Sequence, residues 1–190
     1  MRFASCEFSF FLIIAKGIRY SILFDRNIVV QQEKKEVLRI MNWKENRIES
    51  AKNGTNPMVL AELKSGYAVI GDTQFLPGYC VLLPKREVFS LNDLAVPERS
   101  QFLTDMSLIG DAILKVCHPL RVNYDLLGNA DAFLHAHIFP RYEWESEERR
   151  KKPVWLYDSS NWFDDDKQFS EEKHGKMKKE LASYLSDCTF

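Results

Sequence analysis

Apolar residues recur along the chain with two different periods, and each period predicts its own kind of element. Phe102, Met106, Ile109, Ile113 and Val116 follow at steps of 4, 3, 4 and 3, which is one face of a helix. Pro97 stands where a helix accepts proline, in its first turn, so the stripe predicts a long helix packing into a core. Short apolar runs bounded by turn residues predict strands. These are Tyr67–Ile70 ahead of Gly71-Asp72, Tyr79–Leu83 between Pro77-Gly78 and Pro84, Leu120–Leu127 ahead of Gly128-Asn129, and Ala132–Phe139. The first two suggest an antiparallel pair. Residues 43–52 are polar and helix-compatible until Asn53-Gly-Thr-Asn-Pro57 breaks them, and Met58 to Lys64 predicts a short helix stopped by Gly66. Ser170 caps a final amphipathic helix running to about Leu185. Between them, the charge block Glu143–Lys152 reads as a solvated loop. The aromatics Trp155, Tyr157, Trp162 and Phe163 lie near Asp164-Asp165-Asp166 and read as packing the tail against the domain, with stacking on a nucleotide base as the alternative.

The first forty residues follow a different pattern. Phe8–Ile14 is apolar but is stopped by Lys16, well short of the roughly 20 residues that span a bilayer. It lacks the basic start and small-residue cleavage site of a signal peptide. With Tyr20–Phe24 as a second apolar run, 1–40 reads as an extra hairpin or a disordered arm. A third reading comes from the genetic code: Lys35-Glu36-Val37 is encodable by codons containing the core of a bacterial ribosome-binding site, and Met41 follows shortly after. On that reading translation starts at Met41 and 1–40 is upstream sequence read in frame.

Composition narrows the classes. The 190 residues carry 26 Lys+Arg against 27 Asp+Glu, a net charge of −1, so no overall basic field draws in nucleic acid or an anionic membrane. Residues 41–190 alone hold 19 basic against 23 acidic side chains, and any anion must be met by a local site. Cys6, Cys80, Cys117 and Cys188 lie far apart with no CxxC pair, which reads as buried thiols of a reducing compartment, the cytoplasm, rather than a disulfide framework or zinc site.

The chemistry gathers in Phe133-Leu-His-Ala-His-Ile-Phe-Pro-Arg141, where strand periodicity puts Phe133, His135, His137 and Phe139 on one face. A His-x-His pair by itself is open to two readings: hydrogen-bonded histidines of a half-buried sheet, or two metal ligands that need a third. Asp125 and Asp131 are near but continue no ligand spacing, so no protein metal site is expected. Taken together, Pro77-Gly-Tyr-Cys-Val-Leu-Leu-Pro-Lys85, Leu91-Asn-Asp-Leu94, the long helix, Asn123, Gly128-Asn129 and His135-Ala-His137-Ile-Phe-Pro-Arg141 resemble the histidine-triad (HIT) family of nucleotidyl hydrolases and transferases in order and spacing. The branch they look like is the bacterial diadenosine tetraphosphate hydrolase-like proteins.

The resemblance covers about residues 60–142. It implies an α+β fold with a HIT-like antiparallel sheet, a long packing helix and a C-terminal helical tail, assembled as a two-fold homodimer. The chain then divides into an extension, 1–40, a HIT-like domain, 41–142, and a tail, 143–190. His137 falls on the last histidine of the triad and His135 on the nucleophile. Phe133 stands where the first histidine belongs, Tyr79 where the family often has Gly-His, and Glu87 where a Pro-Lys-x-His stretch usually ends. Phe133 makes the surroundings of His135 more apolar, favouring the neutral, nucleophilic imidazole.

The implied activity is hydrolysis of a dinucleoside polyphosphate, diadenosine tetraphosphate-like, or a related nucleotide conjugate through a nucleotidyl-histidine intermediate. The alternatives are a nucleoside phosphoramidase and a nucleotide-binding module without turnover. His137, the Asn129 side chain and backbone N–H groups are the expected phosphate donors, and Asn123 is a further phosphate or ribose contact. Asp72 reads either as the ribose-binding carboxylate or as a turn residue. Lys85 and Arg86 face the distal phosphates or a solvated edge, and Arg141 anchors the strand end or phosphate. His118 and His174 read as surface or capping residues. No cofactor is expected beyond a divalent cation carried with the substrate.

Overall fold

The computed structural model describes residues 8–15, 18–25 and 43–188, and the chain forms two units, 1–46 and 47–190. In the first, β1 (Phe8–Ala15) and β2 (Ile18–Asp25) pair antiparallel, with Phe8 opposite Asp25 and Ala15 opposite Ile18. Lys35–Val37 and Met41, on which the alternative start rests, lie outside the described residues.

The second unit begins with α1 (Arg47–Lys52) and is built on a five-stranded antiparallel sheet of order β3-β4-β5-β7-β6. Its strands are β3 (Val59–Glu62), β4 (Gly66–Ile70), β5 (Cys80–Pro84), β6 (Arg121–Asp125) and β7 (Ala136–Arg141). The helices are α2 (Val96–Cys117), α3 (Glu147–Arg150), α4 (Ser160–Phe163) and α5 (Glu171–Asp187). The expected α+β architecture is present, with both the long helix and the C-terminal helix. Ser170 caps α5 as expected, its hydroxyl accepting the Lys173 N–H at 3.2 Å.

The segment Met58–Lys64 is a strand where a helix is expected. Leu-Ala-Glu-Leu-Lys favours a helix locally, but β4 is buried along its whole length and presents an open ladder. Val59 pairs with Val69 and Glu62 with Tyr67, and the Leu63 N–H closes the turn on the Gly66 carbonyl at 2.7 Å. Tertiary pairing overrides local propensity here, and Gly66 opens β4 instead of ending a helix. The last strand also starts later than its pattern suggests. β6 ends at Asp125, opposite His137, so residues 132–135 have no strand to pair with on that side. The Leu134 N–H donates to the Val88 carbonyl instead.

The sheet's two faces divide the molecule. Ile138 lies opposite Tyr124, whose hydroxyl reaches Gly110 of α2, so α2 covers the Ile138 face. It buries Phe102, Ile109, Ala112 and Ile113 there, and α5 packs beside it through Leu181 and Leu185. The buried stripe also takes in Asp105, whose carboxylate accepts the Ser65 N–H, the Ser65 hydroxyl and Gln101 Nε2 at 2.6–2.8 Å; Met106 and Val116 are only half-buried.

The opposite face, carrying His137 and Phe139, is covered by the segment after β7. Tyr79, Leu76, Phe139 and Val154 form a buried cluster, with Phe75, Tyr157 and Trp162 packed against it. Three of the four tail aromatics therefore pack as expected, whereas Phe163 is 81% exposed. Arg141 ties this segment down: Nε and Nη2 hold the buried Glu145 carboxylate, and the remaining N–H groups reach Asn123 Oδ1 and the carbonyls of Lys152 and Arg149. Burial alone would raise the Glu145 carboxyl, but the bonds from Arg141, Tyr157 and the Tyr142 N–H hold it below its ordinary value. The charge block is otherwise solvent-exposed or half-buried, as expected, with Glu145 its one buried member and α3 capped by the Ser146 hydroxyl. The described cysteines, Cys80, Cys117 and Cys188, are free; Cys80 is buried as expected, but Cys117 is half-buried and Cys188, at the end of α5, is exposed.

Candidate active site

His135 and His137 sit at the start of β7, one just before the strand and one inside it. Although residues 133–135 are outside the ladder, the rings of Phe133, His135, His137 and Phe139 form a continuous row. Successive centroids are 4.9, 4.7 and 5.8 Å apart. His135 is 7% exposed, and its Nδ1 lies 2.8 Å from the Phe133 carbonyl oxygen. A carbonyl can only accept, so Nδ1 carries the proton, and in the neutral ring Nε2 carries the lone pair. The backbone of Phe133 therefore sets the tautomer of His135.

His137 is held between β5 and β6, opposite Val81 on one side and Asp125 on the other. Its Nδ1 is 2.6 Å from the Tyr79 hydroxyl. Trp155 lies edge-on to it at 4.8 Å, stacks on Trp162 at 5.0 Å and donates its indole N–H to Asp125 Oδ2 at 3.1 Å. Burial, then repulsion from a charged His135, lowers the His137 pKa to about 3, so this ring is neutral at physiological pH. Burial likewise pushes the Tyr79 phenol well above its ordinary value, with the Asp72 carboxylate adding to the effect. Neither histidine ε nitrogen has a hydrogen-bond partner among the described residues.

The polar residues expected around the histidines are placed unequally. Asp72 follows β4, and both its oxygens are engaged by Arg47 of α1, at 3.1 and 2.7 Å. That ion pair brings a guanidinium near Asp131, whose charge acts on it; no sequence motif marks Arg47, which lies outside the stretch that carries the resemblance. Asn123 faces the same side as Phe139, and its side-chain oxygen accepts from Arg141. Asn129 is exposed in the β6–β7 loop. Arg141 anchors the strand end, since its N–H groups are spent on Glu145, Asn123 and two carbonyls. Lys85 and Arg86 pair with Glu62 and Glu98. They line a groove of about 470 Å³ with Pro84, Leu94 and Phe102 at the start of α2, on the sheet face away from His137. His118 ends α2 in a left-handed conformation, and His174 accepts the Ser170 N–H at 3.1 Å; both are capping residues. Among the described residues no three His, Cys, Asp or Glu side chains come together to hold a metal ion, and no helix is long and apolar enough to cross a membrane.

No protein-family model matches the chain, and no curated protein matches it. Solved structures do match. A histidine triad (HIT) protein from Sinorhizobium meliloti 1021 superposes with a TM-score of 0.58 at 19% identity, covering 67% of this chain and 89% of that one. A hypothetical histidine triad nucleotide-binding protein from Sulfolobus tokodaii gives 0.56 at 13% identity, covering 74% and 91%. A Plasmodium falciparum diadenosine triphosphate hydrolase gives 0.50 at 15% identity, covering 71% and 80%. At these identities the likeness shows the fold: the chain has the histidine-triad fold, with His135 and His137 at the start of its β7 strand.

Proposed function

We propose that the protein is a nucleotide hydrolase of the histidine-triad type, with His135 as nucleophile. The observation that carries this reading is the tautomer of His135: Nδ1–H bound to the Phe133 carbonyl and Nε2 uncommitted. Nε2 attacks the α-phosphorus, the P–N bond forms as the P–O bond to the leaving nucleotide or phosphate breaks, and the leaving oxygen takes up a proton. Water then attacks phosphorus, the P–N bond breaks, and the nucleoside monophosphate departs. Nucleotidylation puts positive charge on the imidazole, and the Phe133 carbonyl stabilises it through Nδ1–H. His137, neutral and beside His135, supplies a hydrogen bond rather than a full charge to the non-bridging oxygens. Asn129, exposed on the loop that leads into His135, supplies a second.

The substrate class we propose is a dinucleoside polyphosphate. The fold's resemblance to a protein described as a diadenosine triphosphate hydrolase supports it, as does the sequence resemblance around the histidines. A cytoplasmic two-fold homodimer belongs to the same reading. Asp72, whose two oxygens Arg47 holds, is the ribose carboxylate of this reading. Incubation with diadenosine tetraphosphate tests the assignment: the wild type releases a nucleoside monophosphate, and His135→Ala abolishes turnover while retaining the fold. Tight nucleotide binding with no product would instead make the protein a binding module, and preferred cleavage of P–N over P–O substrates would make it a phosphoramidase.

A further inference from the structure

Tyr79 stands out in the site because four features fix it in place. Its ring lies parallel to Phe139, 16° between planes with centroids 4.3 Å apart, and within 19° of the His137 plane. Its carbonyl accepts both the Gly71 N–H at 2.8 Å and Gln74 Nε2 at 3.0 Å, while Gln74 Oε1 accepts the Gly78 N–H. Gly71 leaves the space the ring occupies, for a Cβ there would lie 2.2 Å from Tyr79 Cδ1. Gly78 makes the turn into the strand at φ +95°, a backbone that favours glycine. The phenol oxygen thus has one position, and its hydrogen-bond partner there is His137 Nδ1.

We propose that Tyr79 is a positioning residue for His137: the phenol donates to Nδ1, so that Nε2–H is the proton His137 presents to the substrate phosphate. The direction follows from proton accounting. If Nδ1–H donated to the phenol oxygen, the buried phenol proton would have no acceptor among the described residues, and an unmade buried hydrogen bond is costly. Donation by the phenol satisfies that proton and leaves the histidine's other nitrogen protonated. The two histidines then present opposite ends of the same chemistry from one strand: His135 an ε lone pair set by a backbone carbonyl, His137 an ε proton set by a side-chain hydroxyl. A phenol that stays protonated and an imidazole that stays neutral keep this pairing unchanged across the physiological pH range. The proposal rests on the hydrolase reading for its kinetic consequence and stands without it for the tautomer.

Both parts are tested on the full-length protein. In a long-range proton–nitrogen spectrum of the ¹⁵N-labelled wild type at neutral pH, His137 is expected to show a bare Nδ1 and a protonated Nε2. A protonated Nδ1 would overturn the proposal, and this readout needs no variant that folds. With diadenosine tetraphosphate as substrate, Tyr79→Phe is expected to lower kcat about 10- to 100-fold, the range typical of losing a group that orients a catalytic ligand. KM should stay within about threefold, because the lost contact matters in the transition state. Tyr79→His, which restores a donor, is expected to recover most of kcat. A folded Tyr79→Phe variant with kcat within twofold of wild type would also overturn it. If the wild type turns over no nucleotide at all, the hydrolase reading fails while the spectrum still decides the tautomer.

Discussion

Single residues set the chemistry, and the histidine pair is read best through its hydrogen-bond partners. His135 owes its tautomer to a carbonyl that any residue at 133 would provide, so the side chain at 133 does not decide which ring nitrogen of His135 carries the proton. His137 has an acid-stability signature. Its ordinary pKa of 6.5 falls to about 3 in the fold, chiefly through burial. The unfolded chain therefore takes up this proton first as pH drops, and stability is lost with acid between about 6.5 and 3. For a partly buried ring this amounts to about 1–2 kcal/mol between pH 7 and pH 5, of a maximum near 1.4 kcal/mol per pH unit. Urea unfolding at the two pH values should show this loss in the wild type and a smaller one in His137→Gln.

At the scale of elements, the tail segment after β7 is held to the histidine face by one buried ion pair and a set of aromatic contacts. Arg141→Ala leaves the Glu145 carboxylate buried without its partner, which costs about 3–5 kcal/mol. Chemical denaturation should register that loss, and limited proteolysis should cut between residues 143 and 170 before the rest of the domain. Gly71→Ala tests the other side of the site: the new methyl group displaces the Tyr79 ring, so this variant should reproduce part of the Tyr79→Phe loss in kcat. If the ring simply shifts with no kinetic effect, Tyr79 is not held as tightly as its contacts imply.

What the sequence revealed of these elements depended on how local their causes are. The α2 stripe, the β4–β5 pair and the Ser170 cap were legible because spacing and turn residues within a few positions decide them. Met58–Lys64 misled because its own propensity is helical and its strand partner lies across a turn. Glu145 read as surface charge although its partner, Arg141, is only four residues away, because the groups that enclose the pair, Asn123, Lys152 and Tyr157, meet it only in the fold. The histidines were visible as a motif, yet Arg47, Trp155 and the donor role of Tyr79 were not, since each reaches the site from a distant segment with no spacing rule linking it to His137.

At the scale of the molecule, the near-neutral charge of the chain left phosphate recognition to local donors, and the site agrees with that constraint. Around the two adjacent histidines stand a phenol and an indole against His137 and a phenyl ring and a backbone carbonyl against His135, and the nearby Arg47 is already paired with Asp72. A site of this kind binds a polyphosphate through directed hydrogen bonds, so affinity should depend only weakly on ionic strength. Substrate KM measured between low and physiological salt is expected to change by less than about threefold; a steep rise with salt would point to a cationic surface elsewhere.

The central claim is that His135 carries the nucleotide, and trapping it is the most direct measurement. After brief incubation with diadenosine tetraphosphate and rapid quenching, mass spectrometry should find one adenylate on the peptide containing His135, absent from His135→Ala. Hydrolysis that proceeds with no adduct and survives in His135→Ala would contradict it.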